Sequence, residues 1–261
     1  ENHVFPLIGR KPVDQVDSTH VVEVLAPIWL DIPDTARKIL QRIGAVLDFA
    51  HIKGWREEEA ALRSVRKGLP RQTDKVEHFK AMPYADIPAF MKELATASLT
   101  TGRDALRFTI YNAVRSSETR KAVWTEIDLD NAIWTIPGKR MKAKETHVVP
   151  LSNAAVSILC RRWKLRTSDD GLIFSNNGEK PISDMTMTKL LRDAGIKGAT
   201  VHGFRSAFTD WAAEKTDFPK EVADKALAHK LSNQVEAAYR RTDFFDKRRE
   251  LMAKWAGYLD C

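Results

Sequence analysis

His202-Gly203-Phe204-Arg205, Leu227-Ala228-His229 and Ala238-Tyr239-Arg240 fall in one otherwise helical stretch near the C-terminal end of this 261-residue chain. The residue types share a chemistry. Arginine neutralises phosphate oxygens through a planar, bidentate fork. Histidine moves a proton near neutral pH or donates a hydrogen bond. Tyrosine can act as a covalent nucleophile. Together they are what phosphoryl transfer through a tyrosine would need.

Two more candidates lie upstream. Arg115 follows an apolar helix expected over 102–113 and precedes Ser116-Ser117-Glu118. Trp124-Thr125-Glu126-Ile127-Asp128, Ala132-Ile133-Trp134-Thr135-Ile136 and Thr146-His147-Val148-Val149-Pro150 read as three strands, with Pro137-Gly138 breaking the second. Between the last two runs a basic turn, Lys139-Arg140-Met141-Lys142-Ala143-Lys144. Further helices are expected over 86–97, 152–164, 183–193, 203–213, 219–227, 232–240 and 244–258. The candidate set is therefore Arg115, Lys142, His202, Arg205, His229 and Tyr239.

Each member also has a plainer reading. Arg115 could pair with Glu118 across a helical turn. Lys142 could be solvated while Lys139 or Lys144 does the chemistry. His202 could cap a helix, Arg205 could hold a structural ion pair, and His229 could answer a helix dipole. Tyr239 could be core packing. Tyr84, Tyr111 and Tyr258 are poorer nucleophiles, since none follows a Leu-x-His box by one short helix. A zinc site from His147, His202 and His229 is not expected, because no cysteine or carboxylate clusters with them at ligand spacing.

In order and spacing the set resembles the tyrosine recombinases, specifically the integrases of temperate phages and genomic islands. That family runs Arg-x-x-Glu, a lysine in a β-hairpin, His-x-x-Arg, a Leu-Gly/Ala-His box and then a tyrosine. The counterparts are Arg115-Ser116-Ser117-Glu118, Lys142 eight positions before Pro150, His202-Gly203-Phe204-Arg205, Leu227-Ala228-His229, and Tyr239 ten positions after His229. Trp134-Thr135-Ile136-Pro137 and Arg249-Glu250-Leu251-Met252 extend the likeness over most of residues 30–260. There are two departures. Asn112-Ala113-Val114 precedes Arg115 where the family often has Thr-Gly, and Leu-Ala-His replaces the commoner Leu-Gly-His.

The resemblance implies a mainly α fold with a small antiparallel β-sheet (α+β). A helical core-type DNA-binding domain over 1–70 would precede a recombinase catalytic domain over 75–261. It implies cutting and rejoining of DNA through a 3′-phosphotyrosine on Tyr239. Arg115 and Arg205 would clamp the phosphate, Lys142 would act as general acid, His202 would accept a proton or orient the phosphate, and His229 would donate to a phosphate oxygen. The ester keeps the bond energy, so neither ATP, a metal nor another cofactor is called for. The implied partners are double-stranded DNA attachment sites, three more copies in a homotetramer assembled on DNA from free monomers, and accessory DNA-bending or directionality factors. Arg37, Lys38, Arg42, Lys139, Arg140 and Lys144 are expected at the DNA backbone. The last helix would dock on a neighbouring protomer, although Leu251 and Trp255 could equally pack on their own domain. A bacterial or phage-encoded, cytoplasmic and nucleoid-associated protein is implied, with a further arm-binding domain missing before Glu1. The alternatives are a type IB topoisomerase, a non-catalytic DNA-binding protein of the same fold, and a helical transcription regulator.

Composition is compatible with this reading. The net charge is +7, and residues 1–70 hold 10 basic and 10 acidic side chains, so the whole excess lies beyond them. Such a bias suits a polyanionic partner. No apolar run is long enough for a transmembrane helix, and no signal peptide is visible. Cys160 and Cys261 stand far apart, which suits a reducing compartment. In the first part, helices are expected from Ser18 or Thr19 to about Trp29, from Asp34 or Thr35 to a stop at Gly54, and over 57–67. Gly68 to Asp74 reads as a linker.

Overall fold

Asp17 starts the first well-packed helix. Its carboxylate accepts the His20 backbone N–H at 3.0 Å while the His20 ring accepts the Asp17 N–H, so the cap falls one residue before the expected Ser18. The computed structural model describes residues 2–73, 81–229 and 242–261. The chain divides into two units, residues 1–77 and 78–261, and is mostly helical with one three-stranded antiparallel sheet, the α+β class expected.

The first unit contains α1 (Phe5–Ile8), α2 (Ser18–Leu25), α3 (Pro33–Ile52) and α4 (Leu62–Gly68). α3 opens with Pro33 in its first turn and Asp34 beside it, without a side-chain cap from Asp34 or Thr35. Its inner stripe, Ala36, Leu40, Ile43 and Leu47, shares one core with Val21, Leu25 and Val65. The helix expected over 57–67 begins only at Leu62. Arg56 draws its own neighbourhood down instead, with Nη1 on the Val16 carbonyl at 3.1 Å and Nε on the Glu58 carbonyl at 2.6 Å. The Ala60 N–H bonds the Asp48 carboxylate. The start of the expected linker is fastened too. Leu69 is buried, and the Pro70 carbonyl accepts the Trp29 ring N–H at 2.7 Å.

The second unit runs α5 (Ile87–Thr96), α6 (Thr101–Asn112), α7 (Ser116–Arg120), β1 (Ile127–Asp128), β2 (Ile133–Ile136), β3 (His147–Pro150), α8 (Asn153–Trp163), α9 (Asp184–Asp193), α10 (Gly203–Lys215), α11 (Lys220–Ala226) and α12 (Phe245–Leu259). Thr100, Ser152 and Ser183 cap α6, α8 and α9 through their hydroxyls. The first expected strand is shorter than read, because Trp124–Glu126 form a 3₁₀ turn. In the β2–β3 hairpin Trp134 lies opposite Val149 and Ile136 opposite His147. Phe108 of α6 meets Trp134 and Phe174 at 5.4 and 5.3 Å between ring centroids, joining helix and sheet in one core. α12 buries Leu251, Met252, Trp255 and Leu259 in this same unit, and the Trp255 ring N–H donates to the Ile110 carbonyl at 2.9 Å. Leu251 and Trp255 therefore pack within their own unit, the second of the two readings offered for this helix. The helix expected over 232–240, with Tyr239, lies outside the described residues.

Candidate active site

Arg205 is the hub. It sits in the first turns of α10 with only 3% of its surface exposed. One guanidinium nitrogen donates to the Ala113 carbonyl at 2.5 Å. The other donates to the Leu227 carbonyl at 2.7 Å and to His229 Nε2 at 3.2 Å. Ala113 ends α6 and Leu227 ends α11, so the buried cation rests against the carbonyl ends of two helices, where the macrodipole favours positive charge. Arg115 follows Ala113 by two residues, as His229 follows Leu227. One side chain thereby gathers three elements of the candidate set.

Both departures from the family pattern fall at these helix ends. Ala113 and Ala228 are left-handed, at φ 49° and 50°. At α11 the geometry is a full Schellman closure: the Ala228 N–H bonds the Lys225 carbonyl at 3.1 Å and the His229 N–H bonds the Asp224 carbonyl at 2.9 Å. The middle position of the Leu-x-His box thus needs a positive φ, which glycine adopts freely and alanine at a cost of roughly 1–2 kcal/mol. Alanine keeps the turn.

Arg115 opens α7. Its Nη1 lies 2.7 Å from Glu118 Oε1, and its backbone N–H donates to the other carboxylate oxygen at 2.8 Å. The ion pair offered as the plain reading of Arg115 therefore exists. It does not exhaust the local charge, because buried Arg205 feels both Arg115 and the buried Glu118 carboxylate. Burial first, and then Arg115, lowers the Arg205 pKa to about 10, with Glu118 opposing, so Arg205 stays charged at neutral pH. His202, exposed at the start of α10, is pushed down by burial, then Arg205, Arg115 and His229. His229 is pushed down by burial and Arg205. Both rings are thus biased toward the neutral form. The Arg205 N–H at His229 Nε2 leaves the proton on Nδ1, which faces Asp224 Oδ1 at 3.4 Å. Two arginines and two imidazoles biased toward neutral thus gather with the carboxylates of Glu118 and Asp224, and the guanidiniums supply donors that suit phosphate oxygens.

The lysine turn is built differently. Lys139, Lys142 and Lys144 are all exposed, and Lys142 makes no hydrogen bond or ion pair among the described residues. The turn is braced by Gly138, where a Cβ would come within 2.6 Å of the Lys144 carbonyl oxygen. Arg140, also expected at the DNA backbone, has partners within the fold: its Nη1 grips both Glu126 carboxylate oxygens at 2.8 and 2.7 Å, and its Nη2 donates to the Glu118 carbonyl at 2.6 Å. In the first unit Lys38 and Arg42 are exposed one turn apart on α3, whereas Arg37 bonds Gln72 Oε1 at 2.8 Å and pairs with Asp34. Asp224 and buried His147 were not among the sequence candidates. Asp224 was findable, since a Schellman closure brings its carbonyl to His229. Among the described residues no group of three His, Cys, Asp or Glu side chains suits a metal ion, and no helix is long and apolar enough to cross a membrane.

A mostly helical unit with this hairpin, these two arginines and these two histidines is the setting in which relatives were found. Residues 80–245 match the phage integrase family and residues 1–66 its central domain, so the chain belongs to the phage integrase family. The integrase of Enterobacteria phage P4 is 33% identical over all of this chain and 63% of its own length. Prophage integrase IntA of Escherichia coli (strain K12) is 30% identical over 98% of this chain and 62% of itself. The chain thus spans less than two thirds of both. Among solved structures, a lambda integrase dimer bound to a COC′ core site aligns with a TM-score of 0.64 at 14% identity, covering 93% of this chain and 86% of that one. The Tn1549 transposon integrase with circular intermediate DNA aligns at 0.59 and 15% identity, covering 94% and 87%. These two likenesses concern the fold.

Proposed function

We propose that this chain is the DNA-cutting and DNA-joining part of a site-specific tyrosine recombinase that integrates or excises a mobile element. The observation that carries the reading is the gathering around buried Arg205, which bonds the Ala113 and Leu227 carbonyls and His229 and feels the charges of Arg115 and Glu118. A phosphodiester repels nucleophiles by its charge. Arg115 and Arg205 clamp its non-bridging oxygens and stabilise the charge that grows in the transition state, a contact worth on the order of 3–4 kcal/mol. Tyr239 attacks in line, its proton passing to neutral His202. The phosphorus–5′-oxygen bond breaks, and that oxygen takes a proton from Lys142 or a neighbouring turn lysine. His229 turns donor toward the phosphate by gaining a proton at Nε2, which the bound anion favours. A 5′-hydroxyl of another strand reverses the sequence.

DNA attachment sites are the substrate, held by residues 1–70 and 75–261 acting as core-type and catalytic domains. Lys38, Arg42, Lys139 and Lys144 meet the backbone, with Arg37 shared between Gln72 and phosphate. Affinity should then fall steeply with salt. Four copies act together, as in the lambda integrase tetramer bound to a Holliday junction, whose TM-score against this chain is 0.62. The copies come together on DNA from monomers, with accessory bending or directionality proteins, in the compartment where the host DNA lies.

The test is a suicide duplex carrying the attachment core and nicked beside the cleavage position. The protein should form a covalent adduct, and Tyr239→Phe should form none. An adduct that survives Tyr239→Phe would overturn the nucleophile. Supercoil relaxation without strand exchange would favour a type IB topoisomerase.

A further inference from the structure

We propose that His147 is a positioning residue, which aims the lysine turn by bolting the stem of its hairpin to the end of α11. The proposal rests on the recombinase reading above and deepens it. The turn hangs between two anchored stems. On the β2 side, Arg140 bonds Glu126 and the Glu118 carbonyl of α7, the helix that Arg115 opens. On the β3 side, the His147 ring donates from Nε2 to the Ala226 carbonyl at 3.2 Å. Ala226 precedes Leu227, whose carbonyl holds Arg205, and lies three residues before His229.

His147 is also the last cross-strand partner before the turn, opposite Ile136. The next residue is fixed as well, because the Val148 carbonyl accepts from Arg248 Nη1 of α12 at 2.6 Å. On the β3 side, the tie between the turn and the end of α11 that carries Leu227 and His229 is this buried imidazole and its bond to the Ala226 carbonyl. An apolar side chain would be cheaper in that place. Burial, helped by the Arg248 and Arg205 charges and opposed by Glu118, lowers its pKa to about 4 and keeps the ring neutral. A buried polar group at such cost, bonded to a helix carbonyl, fixes a geometry that an apolar contact would leave loose.

Two substrates separate this role from plain packing. With an ordinary phosphodiester the 5′-oxygen leaves with a proton from the turn. With sulfur in that bridging position the phosphorus–sulfur bond breaks to a thiolate, which needs no proton. His147→Leu should slow single-turnover adduct formation about 10- to 100-fold on the oxygen substrate, as small misplacements of a catalytic group do. It should fall within about 3-fold of the parent on the sulfur substrate, since only the proton transfer is lost. His147→Gln, which keeps an N–H donor, should recover most of the oxygen rate. Folding is followed by urea midpoint, and His147→Met carries the same expectation if His147→Leu does not fold. Equal slowing on both substrates, or none on the oxygen substrate, would overturn the positioning role. Failure of the unsubstituted protein to form adduct on either would overturn the recombinase reading itself.

Discussion

The two units hold their helices together with opposite materials. Among the described residues of 1–77 no charged side chain is buried, and eight of the eleven exposed large apolar side chains among all described residues are found there, from Phe5 to Trp55. Among the described residues of 78–261 Arg162, Arg205 and Arg248 are all nine-tenths or more buried, with Leu99, Leu165 and Met185 the exposed large apolar ones. Burying a guanidinium costs several kcal/mol that its bonds must offset. Arg162 spends its bonds on the carbonyls of Ile173 and Ser175, and Arg248 on Val148 and Asp243. Of the three, Arg205 has His229 bonded to it and feels Arg115, and its charge reaches the exposed His202. Buried charge among the described residues marks places where position matters, and Arg205 is the one gathered with the candidate site residues.

The largest expected effect tests that distinction. Arg205→Lys keeps a charge but cannot reach the Ala113 and Leu227 carbonyls and a phosphate together, so adduct formation should fall about 10²- to 10³-fold. Arg162→Lys should cost about 1–3 kcal/mol of stability by leaving carbonyls short of donors. Its adduct rate per folded molecule should stay within about 3-fold of the parent, because it touches no reacting group. Urea titration beside single-turnover trapping measures both. Equal kinetic losses would erase the difference between a scaffold arginine and a site arginine.

The second effect is a pH dependence confined to the larger unit. His147 titrates at about 4 when folded, against the ordinary 6.5 when unfolded. Between those values the unfolded chain binds a proton that the folded one refuses, so stability falls as pH drops from 6.5 and the full penalty is reached below 4. The loss at pH 5 relative to pH 7 should be about 2 kcal/mol. His147→Gln should flatten the dependence of unfolding free energy on pH by one proton across that window. An unchanged slope would show that the ring is not buried as described.

These differences explain what could be read from sequence. Helices with a long apolar period, such as α3, α6 and α10, were legible because burial on one face leaves a repeat. So were Arg115, His202, Arg205 and His229, whose order and spacing survive as a pattern. The start of α4 was not legible, because Arg56 reaches back to the Val13 and Val16 carbonyls across some forty residues. The same holds for Arg140. As a letter in a basic turn it reads as a phosphate contact, and only the fold brings Glu126 to it. Nor could the sequence say that Leu251 and Trp255 are satisfied within their own unit. What the letters Leu-Ala-His do conceal is a backbone sign, and that gives the third test. Ala113→Gly and Ala228→Gly relieve the left-handed strain while giving up about 0.5–1 kcal/mol of chain entropy, for a net gain of up to about 1 kcal/mol each. A loss of stability in chemical denaturation would contradict the φ values.

The smallest effect belongs to the first unit and asks whether its apolar surface is free. Val46, Phe49 and Ile52 lie on the outer face of α3, and Ile52 is 78% exposed. Phe49 meets Trp55 edge-on at 5.9 Å between centroids, with Lys53 above its ring. Ile and Ser have similar helix propensities, and Ile52 has little contact to lose. Ile52→Ser should therefore change the unfolding free energy by less than about 0.5 kcal/mol. Leu40→Ala, on the buried face of the same helix, should cost about 2–5 kcal/mol. Both are read from urea midpoints of the whole chain at low concentration, where association does not contribute. A cost for Ile52→Ser approaching that of Leu40→Ala would mean that the outer face is covered in the folded monomer, and the contrast between an openly apolar first unit and a charge-braced second unit would fail at that helix.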